Sequence, residues 1–248
     1  MSSSRARLGE AVRLRQQATG ESYNHAQMML SSSPNPVSVI PAPAPEQQQW
    51  ETFLVGLIAP VFARHDAGSL FGIRSVTPLA DHLMLRIECA NLALWAQAVS
   101  GAGRAGTTGP QMLIESAPKG VKLIEESTGA MVVLDRAFPR QWQRATAAAQ
   151  APDDTRGGTV DRAVELSRSP YGFEASALLR RARLVSAVGI DGQVHLEVRD
   201  ESDGRPRLFD VGGEEPRAVL WHALDGAPEA LYPAHDGPAL PACRRLEP

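Results

Sequence analysis

A proline-rich stretch between residues 31 and 45 is the feature that most limits how this 248-residue chain can fold. It carries five prolines in fifteen residues, in the order SSSPNPVSVIPAPAP. Proline lacks a backbone N–H and favours extended polyproline geometry, so this stretch should not continue a helix or enter a central strand. We therefore expect a semi-rigid spacer that holds an N-terminal head apart from the rest of the chain.

The head, residues 1–30, predicts two short helices. Apolar residues recur at helical spacing up to Thr19-Gly20, and a second helix is expected from Tyr23 to Leu30. Helices this short need support, so the head should dimerise, dock on the main body or fold on a partner. Its net charge is +2, and it predicts a nucleic-acid contact through four arginines: Arg5, Arg7, Arg13 and Arg15. A terminal helical hairpin without a ligand is the competing interpretation.

The central segment, residues 47–150, predicts an α+β unit. Apolar residues from Trp50 to Phe62 recur every three or four positions, which is typical of an amphipathic helix that Pro60 kinks or ends. Further helices are expected over 92–99 and 140–149. Strand patterns cover 73–76, 83–89, 111–115, 121–125 and 130–135. Because helices and strands do not alternate strictly, the order favours α+β over α/β.

The third segment, residues 159–248, follows a polar break at 151–158 and predicts a second small α+β domain. Helices are expected over 159–167 and 174–183, and strands over 184–189 and 193–199 around an Asp-Gly turn. A further strand is expected over 207–211, and the proline-containing tail should be irregular. The predicted organisation is therefore head 1–30, spacer 31–46, domain 47–150, linker 151–158 and acidic domain 159–248.

Charge and cysteine content narrow the class of protein. The net charge of −3 divides into +2 for the head, −1 for Glu46 in the spacer, +1 for the centre and −5 for residues 151–248, so any nucleic-acid binding should be local and weak. Cys89 and Cys243 fit neither a disulfide framework nor a zinc spacing. Without an apolar signal or a run long enough to cross a bilayer, we expect a cytoplasmic protein with no membrane partner.

Motif searches give no firm catalytic signature. Gly101 to Gly106 spells the dinucleotide pattern, but it follows a helix, so a flexible loop is the better interpretation. Ser116-Ala-Pro-Lys119 has acyl-transfer spacing, yet Pro118 and Gly120 indicate a turn between strands. The six histidines form no metal pair, and we expect neither metal nor cofactor. The arginines at 180, 181 and 183 could contact phosphate or simply favour the helix dipole.

The region from Trp50 to Val99 resembles the small KH-like module that opens the bacterial replication initiator DnaA, and is similar to the helicase-loading protein DciA. A Trp-containing first helix, an alternating hairpin and a helix with Trp95 four residues after Asn91 carry the resemblance. It covers about fifty residues. It implies a module that recruits protein partners such as helicase, with partner-binding residues Trp50, Phe53 and Trp95. Core packing is the alternative role for both tryptophans.

Together these features predict a non-enzymatic adaptor of a bacterial, plasmid or phage system, acting in replication or mobile-element maintenance. It would bind a protein partner and, weakly, nucleic acid. One alternative is a small hydrolase or transferase whose pocket gathers several of Asp81, His82, Glu115, Glu125 and Glu126. Another is an assembly protein that self-associates through the head to form a homo-oligomer.

Overall fold

The computed structural model describes residues 2–32, 39–62, 69–100, 102, 109–149, 156–168, 172–190, 193–199 and 206–210. The helices of this part are α1 (Ser2–Thr19), α2 (Tyr23–Ser32), α3 (Pro45–Phe62), α4 (Leu92–Val99), α5 (Pro139–Ala149), α6 (Arg156–Arg168) and α7 (Gly172–Arg180). Its strands are β1 (Ile73–Pro78), β2 (His82–Ile87), β3 (Met112–Ala117), β4 (Gly120–Glu125), β5 (Met131–Asp135), β6 (Val185–Ile190), β7 (Gln193–Arg199) and β8 (Pro206–Asp210). The expected α+β class is confirmed.

A five-stranded sheet organises the centre of the molecule. Its strand order is β1-β2-β5-β4-β3, with β2 and β5 parallel and the other neighbours antiparallel. Strand residues alternate between two faces. On one face the side chains of the central strands are fully buried, and we call this the closed face: Val76, Leu83, Leu85, Val121, Leu123, Val132 and Leu134. On the edge strand β3 the same face carries Ile114 and Ser116, which are exposed.

Helix α3 covers the closed face and forms the centre of the core. Every residue from Trp50 to Ile58 is buried, which is what an all-round apolar helix requires. It packs on α4, α6 and α7 as well as on the sheet side. Gly56 permits the close approach of α6, because a Cβ there would lie 2.6 Å from the Cα of Ala163. Pro60 lies inside α3 near its end, and the helix continues to Phe62.

The helices predicted to open a separate acidic domain belong to this same core. Val160 and Ala163 of α6, and Leu178 and Leu179 of α7, are buried in one hydrophobic cluster with Trp50 and Leu123. The linker predicted at 151–158 therefore does not separate these helices from the centre, because the apolar faces of both helices need α3 for their burial. The three-stranded antiparallel sheet β6-β7-β8 agrees with the predicted hairpin and third strand.

The N-terminal helices are docked on the body, one of the three arrangements expected for them. Val12, Ala26 and Leu30 join α1 to α2, and Ala18 packs with Ile40 and Leu184. The end of the proline-rich stretch takes part in this contact, since Ile40 is buried and the Ala44 N–H donates to the Ala80 carbonyl at 2.9 Å. Residues 33–38 lie outside the described part. The described end of the stretch is thus packed rather than a free spacer.

Candidate partner-binding face

The three aromatic residues predicted to bind a partner lie in the core instead. Trp50, Phe53 and Trp95 are each 0–1% exposed. The Trp50 Nε1–H donates to the Leu123 carbonyl at 3.1 Å, and the Trp95 Nε1–H donates to the Phe71 carbonyl at 2.8 Å. Their apolar rings fill the interior while both indole N–H groups find backbone acceptors. The three side chains are therefore packed in the core, the role given as the alternative for the two tryptophans, and none of them lies at the surface where a partner could contact it.

Arg15 is also not a surface cation. Its side chain is 3% exposed, and its Nε lies 2.6 Å from Glu21 Oε2. Its Nη1 donates to the Val39 carbonyl at 3.0 Å, and its Nη2 reaches the Pro78 carbonyl at the end of β1 at 3.5 Å. A guanidinium paired in this way holds the head on the body and is not available to a nucleic acid. Of the other predicted contacts, Arg7 and Arg13 are exposed and Arg5 lies in α1.

Arg180, the first residue of the predicted arginine run, has the same structural role at α7. It is 1% exposed. Its Nη2 donates to Glu51 Oε1 at 2.6 Å and its Nε donates to Glu51 Oε2 at 2.8 Å. Glu51 also accepts from Ser176 Oγ at 2.6 Å and from Gln47 Nε2 at 2.9 Å. The carboxylate thus has a donor for each oxygen, as a buried charge requires. The pair fastens α7 to α3.

The five groups proposed for an enzymatic pocket do not converge. Asp81 and His82 pair with each other at 2.9 Å at the β1–β2 turn, while Glu115 lies on β3, three strand spacings from β2. Three spacings amount to roughly 14 Å. Asp81, Glu115 and Glu126 are exposed. Ser116 and Lys119 flank the β3–β4 hairpin, as the turn interpretation predicted, and both are exposed.

Glu125 and Glu126 do share a cleft of about 540 Å³, lined also by Glu46, Gln111 and Arg168. The Glu125 carboxylate is bound within its own turn: Ser127 Oγ donates at 2.8 Å and the Thr128 N–H at 2.6 Å. Burial acts to raise the pKa of Glu125, but the hydrogen bonds from Thr128 and Ser127 outweigh it, and the pKa is lowered. Glu125 therefore stays ionised and shapes the β4–β5 turn.

The second face of the five-stranded sheet differs from the closed face, and we call it the open face. Its side chains are partly or fully exposed, and no helix of the described residues buries them. Two rows cross the strands at this face. The pairing places His82 beside Met131, Met131 beside Ile124 and Ile124 beside Leu113; the next row is Met84, Val133, Lys122 and Glu115.

Charged pairs border the apolar side chains of the open face. Lys122 stands opposite Glu115 on β3, and Arg86 stands opposite Asp135 on β5. Opposite charges in such cross-strand positions attract one another. The open face therefore combines a connected apolar centre, made by Met84, Met131, Val133, Ile124 and Leu113, with a charged border. This is the arrangement of a protein–protein interface, with an apolar core and a polar rim.

The open face was not predicted from the sequence, although the sequence carries a signal for it. Strands β2 and β5, and β4 from Val121 onward, alternate between buried and partly exposed residues. The partly exposed set contains methionine, valine and isoleucine where a solvated face usually carries polar residues. The predicted partner-binding residues were aromatic, and these lie in the core. The signal is the apolar residue at the alternate positions of a strand that face away from the covering helices.

Other classes of site leave no trace in the described part of the chain. Within residues 2–32, 39–62 and the later described ranges, no three His, Cys, Asp or Glu side chains are placed to hold a metal ion together. No helix among the described residues is long and apolar enough to cross a membrane. Comparisons of the chain with protein families, with characterised proteins and with solved structures find no match.

Proposed function

We propose that this protein is an adaptor that binds another protein through the open face of its five-stranded sheet. The observation that carries the proposal is the connected apolar centre on that face, made by Met84, Met131, Val133, Ile124 and Leu113, which the described helices leave uncovered. Contiguous apolar surface rimmed by charge is typical of interaction sites. The partner would replace water over the apolar centre while the border pairs Lys122–Glu115 and Arg86–Asp135 fix its orientation.

The choice of an adaptor rests on how the face is built. Folding needs apolar residues on the closed face, where they are fully buried, and it gains less from the apolar residues of the open face, which stay partly exposed. Val133 and Ile124 would be as compatible with the fold if they were threonine, a strong strand former. Their presence therefore supports a second selective requirement, and partner binding supplies one. A replicative helicase is the first candidate, in line with the resemblance of residues 50–99 to helicase-recruiting modules.

The test is site-specific photocrosslinking in cells that express the chain. Benzoylphenylalanine at position 124 on the open face should give a discrete crosslinked species, and adding the substitution Val133→Lys should remove it. Benzoylphenylalanine at position 143 is the control, because Gln143 is exposed on α5, away from this face. Crosslinks of equal pattern from both positions, or a species from position 124 that survives Val133→Lys, would refute the proposal.

A further inference from the structure

The two edge strands of the five-stranded sheet, β1 and β3, differ in whether other elements cover them. The β1 edge lies against α1, α7 and the 3-10 turn at Ala182–Leu184, and the Pro78 carbonyl accepts from Arg15. The β3 edge has no such cover in the described chain: four of its six residues, Leu113 to Ser116, are exposed. An uncovered edge strand offers unpaired backbone groups to another strand.

The hydrogen-bonding pattern shows which groups of β3 face outward. The Glu126 N–H donates to the Gln111 carbonyl at 3.0 Å, and the antiparallel register continues with Met112 opposite Glu125. Residues in such a ladder alternate between bonding their neighbour and pointing away from it. Gln111, Leu113, Glu115 and Ala117 therefore bond β4. Met112, Ile114 and Ser116 direct their N–H and C=O groups to the free edge.

We propose that the β3 edge pairs with the β3 edge of a second copy, antiparallel about a two-fold axis at Ile114. In this register Ile114 opposes its own copy and Met112 opposes Ser116, so all three outward residues form ladder bonds. The two five-stranded sheets then become one continuous ten-stranded sheet. The proposal concerns the edge and does not depend on what binds the open face.

The charge of β3 is compatible with pairing to a second copy when the two-fold axis lies at Ile114. Glu115 is the only charged residue of β3, and a two-fold axis at Glu115 would set two carboxylates directly opposite each other, which is destabilising. An axis at Ile114 places Glu115 opposite Leu113 instead. It also joins the two exposed apolar side chains Ile114, each 40% exposed, across the seam. The strand is thus complementary to itself in this register.

Disulfide trapping tests the register in the full chain. In a background with Cys89→Ser and Cys243→Ser, the substitution Ile114→Cys places two thiols in a hydrogen-bonded pair with Cα atoms about 5.5 Å apart, within disulfide range. Ser116→Cys is the matched control on the same strand and face. Its two copies would lie four residues apart, roughly 14 Å. We expect the Ile114→Cys chain to crosslink at least about tenfold faster than the Ser116→Cys chain, because only the Ile114→Cys thiols lie within disulfide range.

Light scattering supplies the second measurement. At about 100 µM the native chain should show a weight-average mass above the 26.6 kDa of the monomer, and this mass should rise towards twice that value as the concentration increases. Ile114→Lys should return it to the monomer, while Phe138→Lys, at a residue 49% exposed elsewhere, should not. Circular dichroism verifies folding. A monomeric native chain, a dimer unaffected by Ile114→Lys, or equal crosslinking of both cysteine variants would overturn the proposal.

Discussion

The closed and open faces of the five-stranded sheet share the same strands but differ in what covers them. On β4 the alternation places Val121 and Leu123 in the hydrophobic core, both 0–1% exposed, while Lys122 and Ile124 on the other face remain partly exposed. Full burial of the first set stabilises the fold more than the partial burial of the second set. The apolar residues of the open face therefore contribute less to stability than those of the closed face, which is the basis of the proposal that they bind a partner.

Loss of the Glu51 carboxylate should have the largest effect on stability. Glu51 belongs to α3, the helix that covers the closed face. Glu51→Ala should lower the free energy of unfolding by about 3–5 kcal/mol, because it leaves the guanidinium of Arg180 buried without its partner. Glu51 is 0% exposed and Arg180 is 1% exposed. Urea denaturation followed by circular dichroism measures the change.

Two further variants define this expectation. Glu46→Ala, at an exposed position in the first turn of α3, should change the stability by less than about 0.5 kcal/mol. The double variant Glu51→Leu with Arg180→Leu should recover much of the loss, since apolar replacement of a buried pair is often close to neutral. A cost for Glu51→Ala no greater than that for Glu46→Ala would show that the pair does not hold α7 on α3.

Neighbouring residues on β4 give the most direct comparison of the two faces. Leu123→Ala on the closed face should cost about 2–5 kcal/mol, because it removes buried methyl groups and leaves a cavity beneath α3. Ile124→Ala on the open face should cost about 1 kcal/mol or less, since the side chain is already partly exposed. Thermal and urea unfolding measure both. Equal losses would mean that the open face is covered as well, and would remove the basis of the proposed function.

The elements of the fold were predictable because their signals are local. Strand alternation gave β2, β4 and β5, and helical spacing gave α2, which starts at Tyr23 as expected. What could not be predicted is which distant surfaces meet. Arg15 and Arg180 each stand in a run of arginines, and local composition cannot show that Glu21 and Glu51 neutralise them in the interior. The tryptophans fit both a binding and a packing role until the carbonyls of Leu123 and Phe71 are seen beside their indole N–H groups.

The same limit applied to the domain boundaries. The polar stretch 151–158, whose two glycines fall in the first turn of α6, has the composition of a linker, yet the burial of Ala163 against Gly56 requires α6 to lie on α3. Boundaries follow from the number of contacts that cross them, which depends on packing between residues about a hundred positions apart. The open face was hidden for the related reason that an exposed valine is ordinary alone and informative only in a connected row.

Glu125 is the last residue of β4 on the closed face, and its substitution should have only a small effect on stability. Its carboxylate occupies the same parity as Val121 and Leu123 but is bound by Ser127 and Thr128 instead of by α3. Because the folded pKa is lowered, its contribution to stability is fully present above the unfolded pKa of about 4.3 and is lost as the pH falls through the lower folded pKa.

The substitution Glu125→Gln should therefore flatten the fall of the melting temperature on acidification below about pH 5, and should cost about 1 kcal/mol at neutral pH through weaker hydrogen bonds. Glu126→Gln, at the exposed neighbouring position, should keep the native acid profile. Calorimetry from pH 7 down to the acid limit of folding measures both. An unchanged acid profile in Glu125→Gln would contradict this prediction, because it would mean that the hydrogen bonds of the β4–β5 turn do not stabilise the Glu125 carboxylate.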